Sequence, residues 1–141
     1  MIREAPVSDL LWLATRARID ITPTLRAMEI VSDQGRILGM VGFDGWAPNS
    51  CMMHIALDVP SAGRHLICPA FHAVFDPDKF NLGVAVGVVK STNKKALRLN
   101  EKLGFRVIFM GRDWFEPGVH QVWMEMRREE CRWLSEKRKA A

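Results

Sequence analysis

Two side chains that can take up a proton lie four residues apart in one apolar run of the chain. The run is Cys51–Val59 (CMMHIALDV), and apart from the thiol its ionisable groups are His54 and Asp58. An almost continuous apolar run predicts a strand that is covered on both faces. Because side chains alternate along a strand, His54 and Asp58 should share one face, separated by about 13 Å at roughly 3.3 Å per residue. An imidazole works as a base near neutral pH, so the pair predicts proton transfer. A half-buried histidine that only pairs with a neighbour is the alternative.

Positive charge is concentrated in two segments, although the formal net charge of the chain is only +4. Residues 90–106 carry six basic side chains against one glutamate, and residues 127–141 carry six against three. The rest of the chain is acidic on balance. A basic stretch confined to one segment predicts a small polyanionic ligand at least as well as nucleic acid. A solvated helix face is the alternative.

Composition and spacing exclude several classes of protein. The chain has 141 residues, of which 48% are hydrophobic and 26% charged, which is typical of one soluble globular domain. It contains no apolar run long enough to span a membrane and no signal-peptide core, so a cytoplasmic location is expected. The three widely spaced cysteines predict reduced thiols. No motif of the common hydrolases or nucleotide-hydrolysing enzymes occurs. Metal binding is not expected, because no ligand spacing occurs among the four histidines, His54, His65, His72 and His120.

His54, Asp58 and the basic segments must be positioned by helices and strands. The order of the predicted helices and strands indicates an α/β domain with a mixed sheet. The predicted strands are residues 2–4, 26–33, 36–43, 51–59, 82–89, 105–111 and 119–126. Gly42, Gly45 and Pro48 predict a loop between the third and fourth of them. Predicted helices begin at Ser8 or Asp9, near Leu66, and at Thr92 or Asn93, and a last helix spans residues 127–139.

The segment VKSTNKKALRLNEKLGF, residues 89–105, resembles the most diagnostic stretch of the GNAT acyltransferases, which use acetyl-coenzyme A to acetylate amines. In that family an Asn follows a buried strand, an Ala lies three residues on, and the segment ends in E-K-L-G-F. Here these are Asn93, Ala96 and residues 101–105. The resemblance covers about residues 1–126. It implies a single GNAT-like domain (α/β, or α+β) with six to seven strands flanked by helices, a core of residues 1–126 and a basic C-terminal helix at 127–141.

The resemblance also implies where acetyl-coenzyme A binds. The family's diphosphate turn, Q/R-x-x-G-x-G/A, corresponds to residues 60–66 (PSAGRHL), where Gly63 is retained and His65 replaces the second glycine. Arg64 can replace amide contacts by a charged fork, and Pro69 places the start of the helix nearer Leu66. Asn93 bonds the pantetheine arm unless it only caps its helix. The implied contact residues are Leu57, Val59, Gly63, Arg64, His65, Asn93 and Ala96.

At one of the catalytic positions that the resemblance implies, this chain differs from the family. Many relatives place a tyrosine, as general acid, four residues after the Ala; here that position is Asn100, and the chain has no tyrosine. An amide can hydrogen-bond sulfur but cannot give up a proton, and a thiol of pKa about 8.5 leaves without much help. We therefore predict His54 as the base, directly or through water, Asp58 as its orienting group and Asn100 near the sulfur.

A second class of function stays open beside N-acetyl transfer to a primary amine. It is a non-catalytic module with the same fold that binds acyl-coenzyme A, or a nucleic acid or protein through its basic tail. Trp114 and Phe115, on a predicted hairpin tip, border a substrate site, form a dimer contact or fold back as core. The expected partners are coenzyme A and an amine; a membrane is not expected, and nucleic acid and a homodimer are left open.

Overall fold

A computed structural model describes residues 1–134 of the chain, and these form a seven-stranded sheet with three α-helices. The helices are α1 (Leu10–Ala17), α2 (Ala62–Phe75) and α3 (Lys94–Leu103). The strands are β1 (Ile2–Glu4), β2 (Arg26–Val31), β3 (Ile37–Ala47), β4 (Ser50–Leu57), β5 (Val84–Lys90), β6 (Arg106–Glu116) and β7 (Val119–Arg127). None of the helices in residues 1–134 is long and apolar enough to cross a membrane.

The strands lie in the order β1-β2-β3-β4-β5-β7-β6. Neighbouring strands are antiparallel, except that β4 and β5 are parallel and are connected through α2. A parallel pair needs such a crossover, because a tight turn can only join antiparallel strands. The predicted mixed sheet and fold class are confirmed.

The two faces of the sheet carry different helices. Leu10 and Leu13 of α1 pack with Met40 and Ala56 on one face. On the other face, α2 and α3 pack against the larger apolar cluster, in which Phe71 of α2 contacts Phe105 with ring centroids 5.9 Å apart. A ligand held between the strands can therefore be reached from two sides by different helices.

Helix α2 begins at Ala62, so the predicted start near Leu66 is wrong. Pro69 lies inside the helix, where a proline costs about 3 kcal/mol. The helix buries eight residues against the sheet, including Leu66, Phe71 and Phe75. Each large apolar side chain contributes roughly 1.5–3 kcal/mol when buried. The free energy gained by burying this apolar face therefore exceeds the cost of Pro69 inside the helix.

Helix α3 confirms the prediction at both ends. The Asn93 side chain accepts a hydrogen bond from the Ala96 amide at 3.1 Å, which caps the first turn. Gly104 ends the helix with φ 113°, a left-handed conformation that glycine adopts without strain. Phe105 then turns into the core.

The predicted loop at residues 42–48 is wrong, because β3 continues through it to Ala47. Gly42 serves helix packing rather than a turn, since a Cβ atom there would overlap Cδ2 of Leu13. Gly45 has φ 56° and lies where the pairing of β3 with β4 shifts register between Asp44 and Ala47. Both glycines therefore interrupt the sequence pattern of a strand without ending the strand.

The predicted C-terminal helix over residues 127–139 is wrong at its start. Strand β7 runs to Arg127, and a single 3₁₀ turn follows at Arg128–Glu130. Residues 135–139 of that prediction lie outside the described part of the chain.

Candidate active site

The sheet opens between its two parallel strands. Strands β4 and β5 pair at three positions only, from Ser50 opposite Val84 to Met52 opposite Val86. Beyond these pairs β4 runs on to Leu57 and β5 to Lys90, and no further pairing joins them in residues 1–134. Each strand keeps its other neighbour, β3 or β7. The gap is therefore lined by backbone donors and acceptors that need a partner, as an amide-rich arm would supply.

His54 lies on the α1 face, beside this gap. It is paired across the strands with Gly42, the residue against which Leu13 of α1 packs. Its Nε2 lies 2.7 Å from Oδ1 of Asp44, and both side chains are largely buried, with 16% and 15% exposed. Because an ionised carboxylate only accepts hydrogen bonds, Nε2 donates, and Nδ1 keeps the lone pair of a base. The thiol of Cys51 lies in the apolar cluster on the other face of the sheet, where burial raises its pKa to about 12.

Asp58, predicted as the orienting group of His54, is paired with another residue. Its two carboxylate oxygens accept from Arg16 of α1, at 2.9 Å from Nε and 3.2 Å from Nη2. The Arg16 guanidinium also lies 3.8 Å from the ring centroid of Trp12. The hydrogen bond from Arg16 holds the pKa of Asp58 below its usual range. The carboxylate that orients His54 is therefore Asp44, not Asp58.

Asp44 was missed because the glycines around it predict a loop. The signal that identifies it is strand register. With β3 extended, Gly42 lies opposite His54 and Asp44 opposite Met52, so Asp44 is on the same face as His54 and two pairs along. Diagonal neighbours of this kind are within reach of each other across antiparallel strands.

Asn100 lies on the opposite face of the sheet from His54. Its Nδ2 donates to the thioether sulfur of Met124 in β7 at 3.7 Å. It also lies above Gly87 of β5, where an added Cβ atom would be 3.3 Å from Nδ2. Gly87 is the first residue of β5 beyond its last pair with β4. The amide is thus placed over the start of the gap and already donates to a sulfur acceptor.

The turn before α2 fits a diphosphate only in part. The amides of Ala62 and Gly63 donate to the carbonyls of Val59 and Pro60 at 2.9 and 3.2 Å. Those two amides are therefore used within the turn. Gly63 is buried against the end of β4, since a Cβ atom there would lie 3.1 Å from Cδ1 of Leu57.

The exposed groups at this end of the molecule are basic. Arg64 and His65 project from the first turn of α2, and Lys94 and Lys95 from the first turn of α3. Helix N-termini attract anions, and lysine and arginine add to that attraction. Since the amides of Ala62 and Gly63 are engaged, the Arg64 guanidinium is the group on α2 best able to bind phosphate.

The Asn93 side chain caps α3, so the capping interpretation of this residue holds. Its Oδ1 is taken by the Ala96 amide, which leaves the two donors of Nδ2 for a ligand. Leu57 ends β4, Val59 lies in the turn that follows it, and Ala96 lies in the first turn of α3. The role of each of these residues in coenzyme binding stays a prediction.

A cavity of about 550 Å³ lies away from this gap. It is formed between α2 and the β2–β3 hairpin and is lined by Met28, Phe43 and Phe80 among others. None of its lining residues belongs to β4 or β5. The candidate site is therefore the opening between the parallel strands, and this cavity is not part of it.

The fold matches that of solved N-acetyltransferases. The spermidine/spermine N-acetyltransferase SpeG from Vibrio cholerae matches over 100% of this chain and 96% of that chain, with a TM-score of 0.70 and 16% identity. Its structure with CoA and spermine matches over 92% and 96%, with a TM-score of 0.71 and 16% identity. A dodecameric structure of the Vibrio cholerae spermidine N-acetyltransferase matches over 92% and 94%, with a TM-score of 0.71 and 17% identity.

No family model matches the sequence, and no curated protein matches it significantly. The resemblance to the GNAT acyltransferases, first indicated by residues 89–105, is confirmed at the level of the fold. The seven-stranded sheet that opens between β4 and β5 is the GNAT fold.

Proposed function

We propose that the protein is an N-acetyltransferase that moves an acetyl group from acetyl-coenzyme A to a primary amine. The observation that carries this proposal is the His54–Asp44 pair on the α1 face, beside the gap between β4 and β5. A base is needed there, because an amine is protonated at neutral pH and must lose a proton before it can attack a carbonyl carbon.

In this proposal the base lies on one face of the sheet, and the group that contacts the sulfur lies on the other face. Acetyl-coenzyme A supplies an acyl group activated as a thioester. On the α1 face, Nδ1 of His54 takes a proton from the ammonium group, directly or through water, while Asp44 stabilises the imidazolium. The amine nitrogen forms the new C–N bond and gives up its second proton to solvent, and the C–S bond breaks. On the other face, Asn100 donates to the departing sulfur, which takes its proton from solvent; the products are an N-acetyl amine and the free thiol.

Polyamines are the proposed acceptors. The similar solved structures are enzymes named for spermidine and spermine. In this chain, sequence outside the two basic segments is acidic on balance, which favours a cationic acceptor over an anionic one. Acetyl transfer to polyamines should be compared with transfer to other primary amines.

Binding and turnover are tested separately. Acetyl-coenzyme A should raise the melting temperature, since a ligand that binds only the folded state stabilises it. Arg64→Ala should largely remove that rise. Lys79→Ala, an exposed cation beyond the other end of α2, is the matched control and should leave the rise unchanged. Release of free thiol in the presence of spermidine then measures acetyl transfer.

The outcomes separate the two classes of function. No change of melting temperature at millimolar acetyl-coenzyme A contradicts the proposal. A rise without thiol release for any amine supports the non-catalytic module instead, which the engaged amides of Ala62 and Gly63 and the missing tyrosine favour.

A further inference from the structure

The cavity between α2 and the β2–β3 hairpin is large enough to hold a small molecule. Its volume of about 550 Å³ lies within the roughly 300–1,000 Å³ that is typical of ligand pockets. None of His54, Asp44 and Asn100 is among its lining residues. The acetyl transfer proposed above therefore gives this cavity no role.

The aromatic ring of Phe80 forms an apolar wall of the cavity and is fixed from several sides. It lies edge-on to Phe43, with ring centroids 5.3 Å apart, and edge-on to Trp46, with centroids 4.9 Å apart. The guanidinium carbon of Arg26 lies 5.0 Å from the Phe80 ring centroid. The Phe80 amide donates to the carbonyl of Ala73 in α2 at 3.0 Å. A fixed aromatic wall favours a planar apolar ligand, because aromatic rings pack on one another in defined geometries.

The charged residues that line the cavity balance one another. Two are basic, Arg26 and Lys79, and two are acidic, Glu4 and Asp78. Arg26 donates from Nε and Nη2 to the same oxygen of Glu4, at 2.9 and 2.7 Å. Asp78 and Lys79 are exposed, so solvent screens their charges. A lining without an excess of either charge favours an uncharged ligand.

The lining residue His72 has a buried polar atom without a partner. Its side chain is 13% exposed, and its Nε2 is buried with no hydrogen-bond partner among residues 1–134. Its Nδ1 lies 3.5 Å from Oδ2 of Asp76, one turn further along the chain. Because an ionised carboxylate only accepts hydrogen bonds, the proton is on Nδ1, and Nε2 presents a lone pair. An unpaired buried acceptor destabilises the fold, and a ligand that donates a hydrogen bond to Nε2 would remove that cost.

We propose that the cavity binds an uncharged aromatic molecule of one or two rings that carries an N–H or O–H donor, as indoles and phenols do. The donor bonds Nε2 of His72, and the rings pack between Met28 and the pair formed by Phe43 and Phe80. Binding does not depend on acetyl-coenzyme A, because the cavity and the gap between β4 and β5 share no residue. Failure of the proposed acetyl transfer would therefore leave this site unaffected.

Indole and 1-methylindole test the hydrogen bond, because methylation removes the donor and leaves the rings in place. Isothermal titration calorimetry of the full chain should show that indole binds at millimolar concentrations. His72→Leu should lower the ratio of indole affinity to 1-methylindole affinity by at least about 10-fold. Comparing ratios cancels the cost of transferring each molecule from water. His65→Leu replaces an exposed histidine on the same helix and is the matched control, for which the ratio should not change.

Nitrogen NMR of the unaltered protein gives a measurement that does not depend on the variant's folding. Indole should shift the Nε2 resonance of His72, and 1-methylindole should leave it nearly in place. Saturation with acetyl-coenzyme A should not change the affinity for indole. The proposal is overturned by the absence of indole binding, by an Nε2 resonance that indole does not move, or by competition between indole and the coenzyme. A folded His72→Leu variant that keeps the original affinity ratio would overturn it too.

Discussion

Two polar pairs, one within β4 and one just beyond its end, show how differently nearby positions of the chain can be used. His54 bonds Asp44 on the adjacent strand, and both side chains are about five-sixths buried. Asp58, four residues on, bonds Arg16 of α1, and both side chains are about one-third exposed. The first pair is shielded from water and keeps one ring nitrogen for chemistry. The second pair uses both carboxylate oxygens and is screened by solvent, so it links α1 to the strand end and does little else.

The largest expected effect is that of His54→Gln. If Nδ1 is the base, the substitution removes proton transfer and should lower kcat by about 10²–10⁴-fold. The thermal shift with acetyl-coenzyme A should persist, because His54 is not among the proposed coenzyme contacts. Turnover equal to the unaltered protein, with the acidic limb of the pH–rate profile in place, would show that another group or a water chain is the base.

Asp44→Asn should have a smaller effect. Groups that orient a functional histidine typically contribute about 10–100-fold. The amide no longer stabilises an imidazolium, so kcat should fall while KM for acetyl-coenzyme A stays constant. A purely structural role would instead lower the melting temperature and leave kcat of the folded protein unchanged.

Asp58→Asn should have the smallest effect, with turnover within about twofold of the unaltered protein, as expected for an exposed pair. Its stability effect has a defined sign. Because Arg16 lowers the pKa of Asp58 in the folded state, the ionised carboxylate stabilises the fold above the unfolded pKa of about 3.9. That contribution is lost as the pH falls through the folded pKa. The melting temperatures of the two proteins should differ slightly at neutral pH and converge in acid. A large loss of turnover would return Asp58 to the catalytic site.

Sequence reasoning succeeded where the signals are local. The ends of α3 depend on the Asn93 cap and on Gly104 in a left-handed conformation, and both are properties of a few adjacent residues. The buried strand at β5 and the element order also follow from short apolar runs. These features were enough to predict the fold class.

It failed where the outcome depends on residues distant in the chain. Gly42 looks like a turn residue until Leu13, 29 positions earlier, is seen to occupy the space of its Cβ atom. A loop at Gly42 takes Asp44 off the strand, and Asp58 is then the carboxylate nearest to His54 in the sequence. Pro69 misplaced the start of α2 for a similar reason, since the burial that overrides it comes from the sheet.

The three residue pairs between β4 and β5 also have a mechanical consequence. The sheet consists of two parts, β1–β4 and β5–β7–β6. Among the described residues, the strands β4 and β5 that join these parts are hydrogen-bonded at one end and not at the other. At the hydrogen-bonded end the Asn49 carbonyl accepts from both Gly83 and Val84, which reinforces the joint. At the other end, a molecule seated in the gap takes up the hydrogen bonds that the strands do not make with each other. Such a molecule would connect the two parts of the sheet at a second point. The sheet with its ligand would then be more rigid than the sheet alone.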